Sequence, residues 1–375
     1  MALSFKRKIN HRGWTIIELM MVVGIIGIIT PSLIMLFMYC YQGLATAEMH
    51  FSLKALNENI MLHLHERMGS SKHMFQNDTT VSGGLNFIGQ IQMGSAPASV
   101  SFTKMASTQS GATITFSPAA GAVSSEFGDC LFYAAYDTPQ TISGVTYIAP
   151  VTVTGASVKD SSGKLVTMNI DVYRFYFDYL SSVGDMKPVP NMTSYWLIEW
   201  QSVQFLDAFE LEDIQSVDTT LYANVISWLT TGSNFPSGLP MTFAWDPSQT
   251  AMTNGSSFAF YTLAGSAMTG KSTQQILIQN WTPLSRTNTG LVSNYNYGIS
   301  GNYQYLTGDP PPPIVPQFCP PTTTANAFPG GFEVGLQGSN AGMQAMIRSL
   351  LIAHGATKIL MWDNQNTVTS VRDVW

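Results

Sequence analysis

Gly13-Trp14-Thr15-Ile16-Ile17-Glu18-Leu19-Met20-Met21-Val22-Val23-Gly24-Ile25-Ile26-Gly27-Ile28-Ile29 is the stretch that decides how this chain reads. Beyond it, residues 19–41 run for 23 positions without a charged side chain. As a helix that length crosses about 30 Å of hydrocarbon. Glu18 is the anomaly, because a carboxylate inside an apolar run is costly to bury unless paired or protonated. Gly13 lies just ahead of the run, where a small residue gives a peptidase access to the backbone. Pro31 lies inside the run and cannot donate the hydrogen bond to the Gly27 carbonyl. A kink or local unwinding is therefore expected between Gly24 and Pro31.

Charge orients the segment. Lys6, Arg7, Lys8 and Arg12 precede it with no acid among them, while the whole chain carries −6 and residues 14–375 alone carry −10. Basic residues beside a membrane helix stay cytoplasmic, so the remainder is expected to face outward. An acidic body also argues against nucleic-acid binding, which needs positive surface. Only 11% of residues are charged and 45% are apolar, against roughly 25% charged in ordinary soluble domains. Mundane readings fit less well. Ala45-Thr46-Ala47 matches a secretory cleavage site, but the apolar stretch before it is too long for a signal peptide. Tyr39 before Cys40 is too bulky for a lipoprotein signal. A plain anchor leaves Glu18 without a purpose.

The quoted stretch resembles the class III signal of type IV pilins and type II secretion pseudopilins. The resemblance covers about 30 of the 375 residues. It implies that a prepilin peptidase cuts between Gly13 and Trp14 and methylates the new amine of Trp14. It also implies that Glu18, fifth in the mature chain, meets that amine on a neighbouring subunit and sets the assembly register. Trp14 departs from the usual phenylalanine but stays aromatic. The implied partners are the peptidase, other pilin or pseudopilin subunits, the inner-membrane assembly platform, and membrane lipid before assembly. The implied location is a single-pass inner-membrane protein with an outward head, later part of a surface filament.

The domain reading follows: residues 1–13 a basic leader, 14–42 a membrane and filament-core helix, 43–73 the amphipathic half of that helix, and 74–375 an exported β-rich head. A weak subdomain boundary is placed near residue 210. Met49, Leu53, Leu56, Ile60, Leu64 and Met68 recur at helical spacing and predict the seam against the head. The helix is expected to break at Gly69-Ser70-Ser71. The fold class is α+β, a long helix packed on an antiparallel head. Strands are predicted over 112–116, 130–136, 145–154, 165–180, 195–206, 257–263, 274–281 and 357–362, and a short helix over 342–354. The alternation of Met168-Asn169-Ile170-Asp171-Val172-Tyr173-Arg174-Phe175-Tyr176-Phe177-Asp178-Tyr179 is the clearest strand signal. A proline-rich connector runs from Pro310 to Pro321.

No catalytic set, cofactor motif or clustered metal site is legible, so no enzymatic activity, cofactor or metal is expected. His63, His65, Glu66 and His73 read as solvated helix residues. Asp207, Glu210, Glu212 and Asp213 read as a solvated acidic face rather than calcium ligands. The aromatics, among them Tyr173, Tyr176, Tyr195, Trp196 and Trp200, read as sheet packing. Cys130 and Cys319 form either a disulfide or two buried thiols. The function expected is a structural subunit, minor or tip-initiating given its large head, of a pilus or pseudopilus. The alternatives are a membrane-anchored surface binding protein or adhesin using a pilin-type signal, and a large major pilin.

Overall fold

The computed structural model describes residues 15–74, 114–116, 124–128, 131–181, 192–247, 260–271, 278–284, 296–303, 332–339, 342–354 and 359–369. Gly13, Trp14, Cys130, Cys319 and the proline-rich run lie outside them. The fold is α+β and divides into two units, Met1–Ser52 and Leu53–Trp375. Helix α1 (Ile16–Gly69) is 54 residues long and ends at the Gly69-Ser70-Ser71 break. It is helical without interruption through Gly24, Gly27 and Pro31, and one residue beyond the proline Ser32 Oγ donates to the Ile28 carbonyl at 3.2 Å.

The first part of the second unit holds strands β1 (Ser71–Met74), β2 (Ile114–Phe116), β3 (Ser124–Gly128), β4 (Leu131–Tyr136), β5 (Gln140–Ile142), β6 (Val145–Tyr147), β7 (Val151–Val153), β8 (Met168–Ile170), β9 (Val172–Ser181), β10 (Met192–Ser202) and β11 (Phe205–Asp207). Helices α2 (Ala208–Val217) and α3 (Thr219–Leu229) follow. Then come β12 (Phe243–Trp245), β13 (Phe260–Ala264), β14 (Ala267–Lys271), β15 (Ile278–Pro283), β16 (Asn296–Tyr303), β17 (Phe332–Ser339), β18 (Gly342–His354) and β19 (Ile359–Thr369). Fifteen of these strands join one curled sheet, whose main path is β14-β13-β12-β11-β9-β10-β16-β18-β17-β3-β2. Strands β5–β6 and β7–β8 form separate two-stranded ribbons. The pairing is antiparallel except for β11 with β12. A parallel pair needs a crossover, and α2 and α3 supply it.

Strand β10 unites the two halves of the sheet. Its last residues pair with β9 on one edge and β15 on the other, and its first residues pair with β16. The alternation read in β9 is present and divides by chemistry. Tyr173, Phe175, Phe177 and Tyr179 share one face, and Arg174, Tyr176 and Asp178 the other; all seven are buried. The first face packs as aromatic pairs, Phe132 on Phe175 at 5.9 Å and Tyr173 edge-on to Trp245 at 5.2 Å. Tyr173, Tyr176 and Trp200 are thus sheet-packing residues, as expected.

The expected helix over residues 342–354 is instead β18, and the correction has a clear cause. Ala345, Ile347, Ser349 and Leu351 alternate on one face and are all buried, but Arg348 and Leu350 on the opposite face are buried too. A strand covered on both faces loses clean polar–apolar alternation, and its apolar residues can mimic helical spacing.

The reading of the acidic stretch is also corrected in part. It forms the end of β11 and the start of α2: Asp213 is exposed and Glu212 half-exposed, as expected, but Asp207 is buried and Glu210 half-buried, and both are engaged by the chain. Asp207 caps the helix, accepting from the Glu210 N–H at 3.1 Å, and its other oxygen accepts from the Tyr173 hydroxyl at 2.8 Å. Glu210 reaches back to accept from the Asp171 N–H at 2.9 Å. Burial pushes the Glu210 carboxyl up to about 7. Between its ordinary range and that value the folded chain holds a proton that the unfolded chain has released, so stability falls as pH rises through this window. Because the side chain is only half buried, solvent screening limits the effect to about 1 kcal/mol. Glu210→Gln is expected to flatten the decline in thermal midpoint between pH 5 and 7.5; an unchanged slope would contradict this assignment.

Candidate functional site: the apolar helix and its polar anchors

The start of α1 is built by two residues, Thr15 and Glu18. Thr15 precedes the helix, and its hydroxyl accepts from the Glu18 N–H at 3.3 Å. The Glu18 carboxylate turns back to accept from the Thr15 N–H at 3.0 Å and from the Thr15 hydroxyl at 3.0 Å. This reciprocal arrangement is a capping box, which satisfies two of the orphan donors of a helix start. The sequence reading missed it, although Thr15-x-x-Glu18 ahead of an apolar run is its signature. Glu18 therefore has a role within its own chain.

From Ile16 to Leu44 the side chains of α1 are exposed, Val22 alone being half-covered. Among the described residues this is the one helix long and apolar enough to cross a membrane. A methyl group built on Gly24 or Gly27 would meet no atom within 4 Å, so nothing described within the chain requires glycine there. Cys40 is a free, exposed thiol on this helix.

The helix changes character within its second half. Met49, Leu53, Leu56, Ile60, Leu64 and Met68, the stripe expected from spacing, are all buried. From Leu53 onward the helix is tied to the sheet by polar contacts. Asn57 Nδ2 donates to the Ser349 carbonyl at 3.2 Å, and the Ser349 hydroxyl donates to Asn57 Oδ1. His63 Nε2 lies 2.7 Å from Glu199 Oε2. Arg67 donates to the Tyr176 hydroxyl at 3.2 Å, its guanidinium 5.0 Å from that ring's centre. His63 is thus not a solvated helix residue; its partner is 136 positions away, beyond any local pattern. His65 and Glu66 remain exposed, and His73 sits on β1.

The face under the helix continues this polar character. Arg174 Nε lies 2.8 Å from Asp137 Oδ2, both side chains fully buried. Arg174 also donates to the Ser202 carbonyl at 2.8 Å and to Gln279. Asp137 accepts from Gln140 and Gln204, each at 2.6 Å. Among the described residues no group of three or more His, Cys, Asp or Glu side chains is placed to hold a metal ion.

The described residues thus give a capped, exposed apolar helix start and, from Leu53 onward, a helix segment held on the sheet by polar contacts. Compared with known protein-family models, curated proteins and solved structures, the chain matches none.

Proposed function

We propose that this chain is a non-enzymatic structural subunit of a type IV pilus or a type II secretion-like pseudopilus, and that it occupies a minor or tip position. A prepilin peptidase severs Gly13 from Trp14 and methylates the exposed amine. The mature subunit waits in the inner membrane with its head outside, until the assembly platform draws it into the filament. The observation that carries this reading is a single acid, Glu18, at the first turn of a helix whose next 26 side chains are almost wholly uncovered. An anchor needs apolar length alone. A polymer needs in addition a marker of register, and a buried acid opposite a neighbour's amine supplies one, since misalignment strands both charges. The head, about 300 residues long, is large for a repeating subunit and favours a position of low copy number.

The deciding measurement is the N-terminal mass of the mature protein purified from membranes. A chain beginning at methylated Trp14 is expected. A chain that retains residues 1–13, or that begins at Glu48 after the Ala45-Thr46-Ala47 site, would overturn the proposal.

A further inference from the structure

Asp178 on β9 and Glu199 on β10 are direct cross-strand partners. Both are buried, at 0% and 4% exposure. Cβ atoms of such partners lie about 5 Å apart, close enough for like charges to repel strongly in a dry interior. Glu199 has its counter-group in His63 at 2.7 Å. Neither oxygen of Asp178 has a hydrogen-bond partner among the described residues. The titratable groups around the pair are His63 and Arg67 from α1, Tyr133 from β4, Tyr176 from β9, and Asp137 just beyond β4. Of these only Arg67 carries a fixed positive charge, and it is already engaged with Tyr176.

A fully buried carboxylate with no donor is among the costliest groups a fold can hold, and neutralising it is the usual escape. We propose that Asp178 keeps a proton in the closed seam, and that this proton acts as a latch holding residues 53–69 of α1 on the sheet. Burial and the neighbouring Glu199 both push the Asp178 carboxyl well above its ordinary range, with Arg67 opposing. Once the proton leaves, two adjacent anions face the helix. They are relieved when the helix lifts and water enters. The sign follows from linkage: the folded chain binds a proton that the unfolded chain lacks, so rising pH loosens the seam and acid tightens it. Glu210 titrates near 7 and Asp207 is also raised, both by burial, so the Asp178 contribution is best isolated at and above pH 8.5. A divalent cation bridging the pair is the competing solution, and the Arg67 guanidinium beside it disfavours that.

The test uses full-length protein in detergent micelles. Hydrogen exchange of amides 53–69, corrected for intrinsic rates, is expected to speed up at least threefold between pH 8.5 and 9.5 in wild type. In Asp178→Asn it should stay flat. The infrared carbonyl band of a protonated carboxylic acid should persist at pH 8.5 in wild type and be missing in Asp178→Asn. Should that variant fail to fold, wild type alone decides. Absence of the band at pH 8.5, or protection of 53–69 that does not fall with pH, overturns the proposal. Protection at pH 9.5 restored by calcium ions would assign the pair to metal and overturn it equally.

Discussion

Glu18→Ala is expected to be exported and processed yet absent from sheared surface fibres, with incorporation reduced at least a hundredfold. The proposed pairing between subunits adds a second role to the cap, and the two separate by magnitude. As a capping residue Glu18 satisfies the Thr15 N–H, so its loss alone frays one exposed helix turn. In the proposed charge pair between subunits, its loss would strand a neighbour's amine, the larger of the two costs. Glutamine serves a capping box nearly as well as glutamate but carries no charge. Glu18→Gln should therefore keep the first turn of α1 ordered while failing to assemble as badly as alanine. Quantifying each variant in sheared fibres against the membrane fraction distinguishes the two roles. Fibres containing Glu18→Gln at wild-type level would leave only the cap.

The largest effect on head stability is expected from Arg174. Its guanidinium spans Asp137, the Ser202 carbonyl and Gln279, and lies 5.0 Å from the centre of the Tyr147 ring. It thereby ties β9 to the segment after β4, to the end of β10 and to β15. Arg174→Ala leaves the Asp137 carboxylate buried without its cation, a loss of about 3–5 kcal/mol. Arg174→Lys should recover only part, because an ammonium cannot reproduce a planar fork with several fixed donors. Urea unfolding of the three proteins, followed by tryptophan fluorescence, reads this directly. An alanine variant within about 1 kcal/mol of wild type would show that the pair contributes little.

Much of the architecture was legible, and the failures have specific causes. The stripe from Met49 to Met68 was readable because one helix face is covered and the other wet. β9 was readable because its two faces differ in chemistry. β18 was misread because burial on both faces erased its period. Helices α2 and α3 were overlooked although their signals were local: Asp207 and Asp218 are caps, and Tyr222, Val225, Ile226 and Leu229 fall at helical spacing. The run of strands on either side masked them. The capping box is equally available, but attention to the cost of Glu18 in a membrane and to its pairing between subunits hides its role within the chain. The contacts of His63 with Glu199 and of Asp178 with Glu199 could not be read at all, since each depends on which strand lies beside which.

The clasp between Asn57 and Ser349 joins residues 292 positions apart, and this sets an order of events during synthesis. In a chain made from its N-terminal side, Asn57 is complete long before its partner is synthesised. Until β18 is made, Asn57 lacks both of its hydrogen-bond partners on Ser349. Contacts of such long sequence separation form slowly and leave sticky surface exposed meanwhile. A chain truncated ahead of β18 would lack this clasp permanently, so closure of this part of the helix seam waits on a strand made much later.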